Sequence, residues 1–222
     1  MDWDKESFNE FILKQNIIGL FEKPIKLKSG RLSYWYVNWR NIASDVFLID
    51  KLTDYVISFI QYLSLEPRCF YGVPEGATKL GIITQYKWAK KQKNYKSGSY
   101  HLSMGRGKQK EHGDPKDKYF LGIPKGETVI LEDVTTTGGS LINTIKLLRE
   151  LNVSIIAAIG LTNRNELRDD GKSVKEIVIE QNVHYYEMSN AIDLLPNLNM
   201  SQDMAKIIEE YFKKYGTEQI KL

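Results

Sequence analysis

Residues 129–140 read VILEDVTTTGGS. Two adjacent carboxylates, Glu132 and Asp133, lead through Val134 into three hydroxyls, Thr135, Thr136 and Thr137. Gly138, Gly139 and Ser140 close the run. A turn of hydroxyls and glycines at the start of a helix makes an anion site: free backbone N–H groups and the positive end of the helix dipole point at whatever sits there. The carboxylates cannot bind a phosphate directly. Two neighbouring sugar hydroxyls, or a polyphosphate carrying magnesium, would suit them, so the chemistry implied is phosphate plus ribose. The same residue types also cap ordinary helices, and that plainer reading stays open. The run is neither GxxxxGK[ST] nor a GxGxxG that follows a strand, which excludes the two commonest nucleotide loops.

The flanking residues say how this turn is held. Val129 to Leu131 read as a buried strand about to stop. Leu141, Ile145 and Leu148, with Ile142 beside them, give the helix that follows. Phe8, Phe11 and Ile12 predict a short amphipathic helix over 5–15. In IKLKSGRLSYWYVNWR, residues 25–40, Ser29-Gly30 separates two β-like runs, a hairpin signal. Leu48, Leu52, Tyr55, Val56, Phe59 and Leu63 predict a helix over about 46–63. A strand from Arg68 to Gly72 enters the turn GVPEGATKLG, and helical spacing resumes through Leu80 and Ile83.

The apolar run Val153 to Leu161 reads as a strand buried on both faces and ends in TNRNELRDDGKS. Ser173 can cap a helix carrying Val174, Ile177 and Val178. His184 to Met188 suggest a last strand, and Met204, Ile207, Ile208 and Tyr211 a terminal helix. Alternating strands and helices from about residue 46 imply a parallel sheet covered on both faces, with ligands beyond the carboxyl ends of the strands. The turns at 72–79, 132–140 and 162–166 all follow strands and therefore share one edge.

With 222 residues, 42% hydrophobic and 27% charged, the chain fits one soluble domain. A net charge of +3 does not argue for nucleic acid. The single cysteine, Cys69, excludes an internal disulfide and reads as a small buried residue on a strand. The polar N-terminus MDWDKES is unlike a signal or transit peptide, and no stretch is apolar for long enough to cross a bilayer, so a cytoplasmic protein is expected. Residues 87–118 form the most basic segment, a solvated loop or a weak nucleic-acid patch. Taken singly, Lys28 is a turn lysine, Arg164 a surface arginine, and Trp35 and Trp39 packing residues. His101 and His184 read as structural, and His112 has no partner at metal-ligand spacing, so no metal-ligating residues are assigned.

The central run resembles the phosphoribosyl-pyrophosphate (PRPP) motif of type I phosphoribosyltransferases. LKSGR followed by a serine and an aromatic strand resembles the N-terminal hood of the orotate phosphoribosyltransferases within that class. Arg106, Lys110, His112 and Gly113 match the spacing of that family's mobile catalytic loop, and the GVP turn matches the turn against which its pyrophosphate rests. Tyr34, Glu75, Gly107 and Asn163 depart from the family pattern; Lys108 stands next along from Gly107 and can substitute for the lysine usual there.

The resemblance implies an α/β type I phosphoribosyltransferase fold over residues 1–222: a hood over about 1–42 and a core over about 43–222, with a central parallel sheet flanked by helices. It implies the reaction of orotate with PRPP to give orotidine 5′-monophosphate and pyrophosphate, with magnesium carried by the pyrophosphate. Lys28, Lys110, His112 and Asp133 then become the catalytic residues. Lys28, Arg106, Lys108, Lys110 and His112 face pyrophosphate, Glu132 and Asp133 hold ribose hydroxyls, Thr135 to Ser140 hold the 5′-phosphate, and Val134 is among the PRPP-binding residues. Tyr36, Val37, Thr136 and Arg164 contact orotate. A homodimer is expected, with loop 104–116 reaching the neighbouring site, and neither a nucleic-acid nor a membrane partner. Two alternatives remain: transfer to another base, or a non-catalytic PRPP-sensing regulator. Against the regulator stand Lys110 and His112 and the lack of a DNA-binding unit before residue 20.

Overall fold

The computed structural model describes residues 2–108, 111 and 120–222. A four-stranded parallel sheet lies at its centre, in the order β3-β6-β7-β8. These strands are β3 (Cys69–Gly72), β6 (Thr128–Thr135), β7 (Ile155–Asn163) and β8 (His184–Asn190). Alternation along them sends side chains to two cores. Phe70, Val129, Leu131, Ala157, Ile159, Leu161 and Met188 face one; Tyr71, Ile130, Ala158 and Tyr185 face the other.

The first core is covered by α1 (Lys5–Lys14), α2 (Val46–Tyr62), α3 (Thr78–Lys90) and α7 (Gln202–Tyr215). The second is covered by α4 (Gly139–Glu150) and α5 (Val174–Ile179). Short α6 (Ala191–Leu194) follows β8, and β4 (Met104–Gly105) pairs with β5 (Phe120–Leu121). The caps are local and legible: Asp45 accepts from Leu48 N at 2.8 Å to open α2, and Ser173 forms a reciprocal capping box with Glu176 to open α5. Cys69 is buried on β3, next to Ser103.

The hood strands, β1 (Ile18–Lys26) and β2 (Leu32–Val37), form an antiparallel hairpin. Its turn closes through Leu27 N donating to Arg31 O and Gly30 N to Leu27 O. Gly30 takes a φ of +86°, which glycine adopts without a Cβ penalty. Trp35 and Trp39 are fully buried and dock the hairpin on the core. Trp35 stacks at 6.1 Å on Phe212 of α7, and Trp39 Nε1 donates to Thr162 Oγ1 of β7 at 3.1 Å.

One expectation is corrected. The central strand does not stop at Leu131: it runs to Thr135, because Glu132 pairs with Gly160, Val134 with Thr162 and Thr135 with Asn163 of β7. Both carboxylates therefore stand on a rigid strand rather than on a loop.

The docking of α7 on the hood is testable. Phe212→Ala should lower the free energy of unfolding by about 3–5 kcal/mol in a denaturant melt, the usual cost of emptying a buried aromatic site. A loss under about 1 kcal/mol would show that α7 does not hold the hood.

Candidate active site

The three turns at the carboxyl edge of the sheet meet the tip of the hood hairpin around one cleft of about 440 Å³. At one end lies the start of α4. Its N-cap is Gly138, at φ +70°, and no side chain caps it among the described residues. Only glycine fits there, since a Cβ would come within 2.7 Å of Val174 and 2.9 Å of Ile177. A Cβ at Gly139, by contrast, would meet nothing within 4 Å, so the helix start opens on the cleft. Lys28 Nζ reaches across from the hood and donates to Ser140 Oγ at 2.7 Å. Arg168 Nη1 fixes the back of the turn by donating to Thr137 O at 2.7 Å.

Glu132 and Asp133 stand in the middle. Glu132 is 7% exposed. Burial first, then the charge of Asp133 and a hydrogen bond to it, push its carboxyl well above the usual carboxylate range, and Lys28 only partly offsets this. Gly76 packs against the neighbouring carboxylate so closely that a Cβ would lie 2.2 Å from Asp133 Oδ2. The pair is thus walled on one side and open to a ligand on the other.

The other end is formed by Tyr36 and Val37 of β2, with Arg40 beyond them and Arg164 just past β7. Far from being a surface arginine, Arg164 is 1% exposed. Its guanidinium lies 3.5 Å from the ring centroid of Trp35. Its Nε donates to Glu166 Oε1 at 2.7 Å, Nη2 to Ser33 Oγ at 3.0 Å and Nη1 to Trp35 O at 3.3 Å. Each terminal nitrogen carries a second N–H in the guanidinium fork.

The cleft brings together Lys28, Tyr36, Val37, Glu132, Asp133, Val134, Thr135, Thr136, Thr137, Gly138, Gly139, Ser140 and Arg164. The Thr135 hydroxyl is already engaged, 2.6 Å from the Tyr185 hydroxyl beneath the sheet, so this residue supports the loop from behind. Arg106 and Lys108 are not among the lining residues, and Lys110 and His112 lie outside the described residues.

Sequence reasoning missed Arg40 and Asn143. Asn143 could have been found, since it follows Ser140 by one helical turn. Two departures from the family pattern meet each other: a Cβ at Gly107 would lie 2.4 Å from Glu75 Oε1. A third is answered within the sheet, where Asn163 Nδ2 donates to Glu187 Oε2 at 2.6 Å. Among the described residues no group of three or more His, Cys, Asp or Glu side chains converges as a metal site.

This fold, with its edge-on cleft, glycine-rich turn at a helix start, carboxylate pair and hood, is that of a type I phosphoribosyltransferase. The same architecture is found in orotate phosphoribosyltransferase of Francisella tularensis, with a TM-score of 0.67 over 95% of this chain and 99% of that one, at 19% identity. In sequence, orotate phosphoribosyltransferase of Rhodopseudomonas palustris (strain BisB5) is 35% identical over 153 residues, covering 64% of this chain and 74% of that protein. The Buchnera aphidicola (strain Tuc7) enzyme of the same name is 29% identical over 168 residues, covering 75% and 74%. No family model matches the chain. The chain belongs to the orotate phosphoribosyltransferase family.

The raised Glu132 carboxyl has a consequence for stability. It binds its proton more tightly folded than unfolded, so its contribution is fully present below the ordinary glutamate range and is lost as pH rises through its folded value. Glu132→Gln removes that loss. Urea melts at about pH 5 and about pH 8 should show the variant gaining stability over the parent protein at the higher pH. A variant that is less stable than the parent at both would contradict the assignment.

Proposed function

We propose that the chain transfers the phosphoribosyl group of PRPP to orotate, giving orotidine 5′-monophosphate and pyrophosphate, a step of UMP synthesis. The observation that carries this reading is the order of groups along one cleft: an uncapped helix start, a carboxylate pair, then a buried arginine between hood and sheet. A 5′-phosphate, a ribose and an anionic planar base follow each other in the same order.

In this reading the N–H groups and hydroxyls of residues 136–140 take the 5′-phosphate, with Val134 and Thr135 shaping the turn. Glu132 and Asp133 accept hydrogen bonds from the ribose hydroxyls, which fixes the anomeric carbon and favours ionised carboxylates beside a sugar that gains positive charge. Tyr36, Val37 and Thr136 flank the base, and Arg164 offers N–H donors to its carboxylate, a charge-assisted pairing. Bond breaking at the anomeric carbon builds charge on pyrophosphate, and cations placed there lower the barrier. Lys28 is at hand on the cleft wall. Arg106, Lys108, Lys110 and His112 are assigned by the sequence pattern, carried on loop 104–116 to the neighbouring site of a homodimer.

Magnesium arrives with PRPP and offsets the charge of its pyrophosphate. No helix of the described residues is long and apolar enough to cross a membrane; a cytoplasmic location is part of the same proposal.

The test follows orotate absorbance with purified protein, magnesium and PRPP. Lys28→Ala should lower kcat/KM by about a hundredfold or more, the scale of one lost transition-state donor, and Lys110→Ala similarly. Turnover with another base and none with orotate would keep the class and overturn the base. Tight PRPP binding without turnover of any base would favour the regulator.

A further inference from the structure

Arg31 does not line the cleft, yet it is tied to the arginine that does. One carboxylate serves both: Glu166 Oε2 accepts from Arg31 Nη1 at 3.1 Å and Glu166 Oε1 accepts from Arg164 Nε at 2.7 Å. The side chains of Arg31, Arg164 and Glu166 are 7%, 2% and 0% exposed. Arg31 Nη2 also meets Asp169 at 2.9 Å, but that carboxylate is 98% exposed, so water solvates most of its charge and an exposed pair of this kind contributes little. Within the buried cluster, two guanidinium charges therefore stand against one carboxylate. One positive charge is left over, and Arg164 is the member that borders the cleft.

The surroundings keep that charge effective. The Tyr215 ring covers Arg31 at 4.5 Å, and the Trp35 ring covers Arg164 at 3.5 Å. The C-terminal end of α7 is joined to the segment carrying Glu166 through Leu167 N donating to Tyr215 O and a backbone bridge between Glu166 and Gly216. Charges shielded from water act over a longer range than surface charges.

We infer that Arg31 is a specificity-determining residue: by engaging half of Glu166 it leaves Arg164 incompletely neutralised, and so sets the cleft to prefer an anionic base over a neutral base with the same ring. Without Arg31, Glu166 would pair with Arg164 alone and cancel its charge. The residue acts through Arg164 and touches neither base nor sugar. The inference rests on the proposed transfer to orotate.

The experiment compares KM for orotate with Ki for uracil, which is orotate without its carboxylate, in the protein and three variants. Arg31→Gln keeps a donor toward Glu166 but removes the charge. It should lower the preference for orotate over uracil about tenfold, while kcat and KM for PRPP change by less than about threefold. Arg31→Lys keeps the charge and should hold the preference near the parent value. The double variant Arg31→Gln with Glu166→Gln removes one charge of each sign, restores the leftover positive charge and should recover the preference to within about threefold.

A merely structural role would weaken PRPP and orotate alike, and the double variant would be worse than the single. That result, or an unchanged preference in folded Arg31→Gln, overturns the inference. If Arg31→Gln shows no melting transition, the double variant decides: a retained preference supports the inference and a lost one overturns it. Absence of orotate turnover in the parent protein instead overturns the proposed function, and the inference with it.

Discussion

Glu166 stands with its side chain fully buried between Arg31 of the hood and Arg164 at the edge of the sheet, joining segments 135 residues apart in sequence. A lone buried carboxylate would be costly, and a lone buried guanidinium equally so; each is tolerated because the others are present. Removing one member of such a cluster commonly costs about 3–5 kcal/mol. The hairpin that carries Arg31 also carries Lys28, which reaches Ser140, and Tyr36 and Val37 on the cleft wall. The hood is a wall of the site rather than an appendage.

The parallel sheet supplies the other constraint. Its strands end together, so the turn after β3, the turn after β6 and Arg164 after β7 converge on one edge. What converges there is electrostatically incomplete. Glu132 is held above its ordinary proton affinity by burial and by Asp133, while the start of α4 offers amides that no side chain caps. A ligand with hydroxyls at its centre and a phosphate at one end relieves both, which is why the geometry favours a phosphoribosyl group over a bare phosphate.

Much of this was legible from residue types alone. Short apolar runs placed the sheet strands and period-3.6 patterns the long helices, because those patterns are direct consequences of burial on two faces or one. The turn before α4 was legible because glycine at 138 is imposed by its neighbours and left-handed backbone. Less legible was anything decided by a distant partner. Continuation of β6 through Thr135 depends on Gly160 and Thr162 lying opposite it, contacts invisible in a local window. Arg164 read as a surface residue because Ser33, Trp35 and Glu166, which bury it, are supplied by the fold. The departures at Glu75 and Gly107 looked independent in sequence, yet they touch. Asn163 suits its place because an amide can donate to Glu187, where a second carboxylate would be repelled.

The proposed transfer fixes a polarity along the cleft: phosphate at the start of α4, ribose on Glu132 and Asp133, and the base beside Arg164. A crystal structure of the protein with orotidine 5′-monophosphate tests it most directly. The 5′-phosphate should lie within hydrogen-bond distance of the amides of residues 137–140 and the base carboxylate at the Arg164 guanidinium. A nucleotide bound in the opposite sense, or with its phosphate against the turn at 74–76, would contradict it.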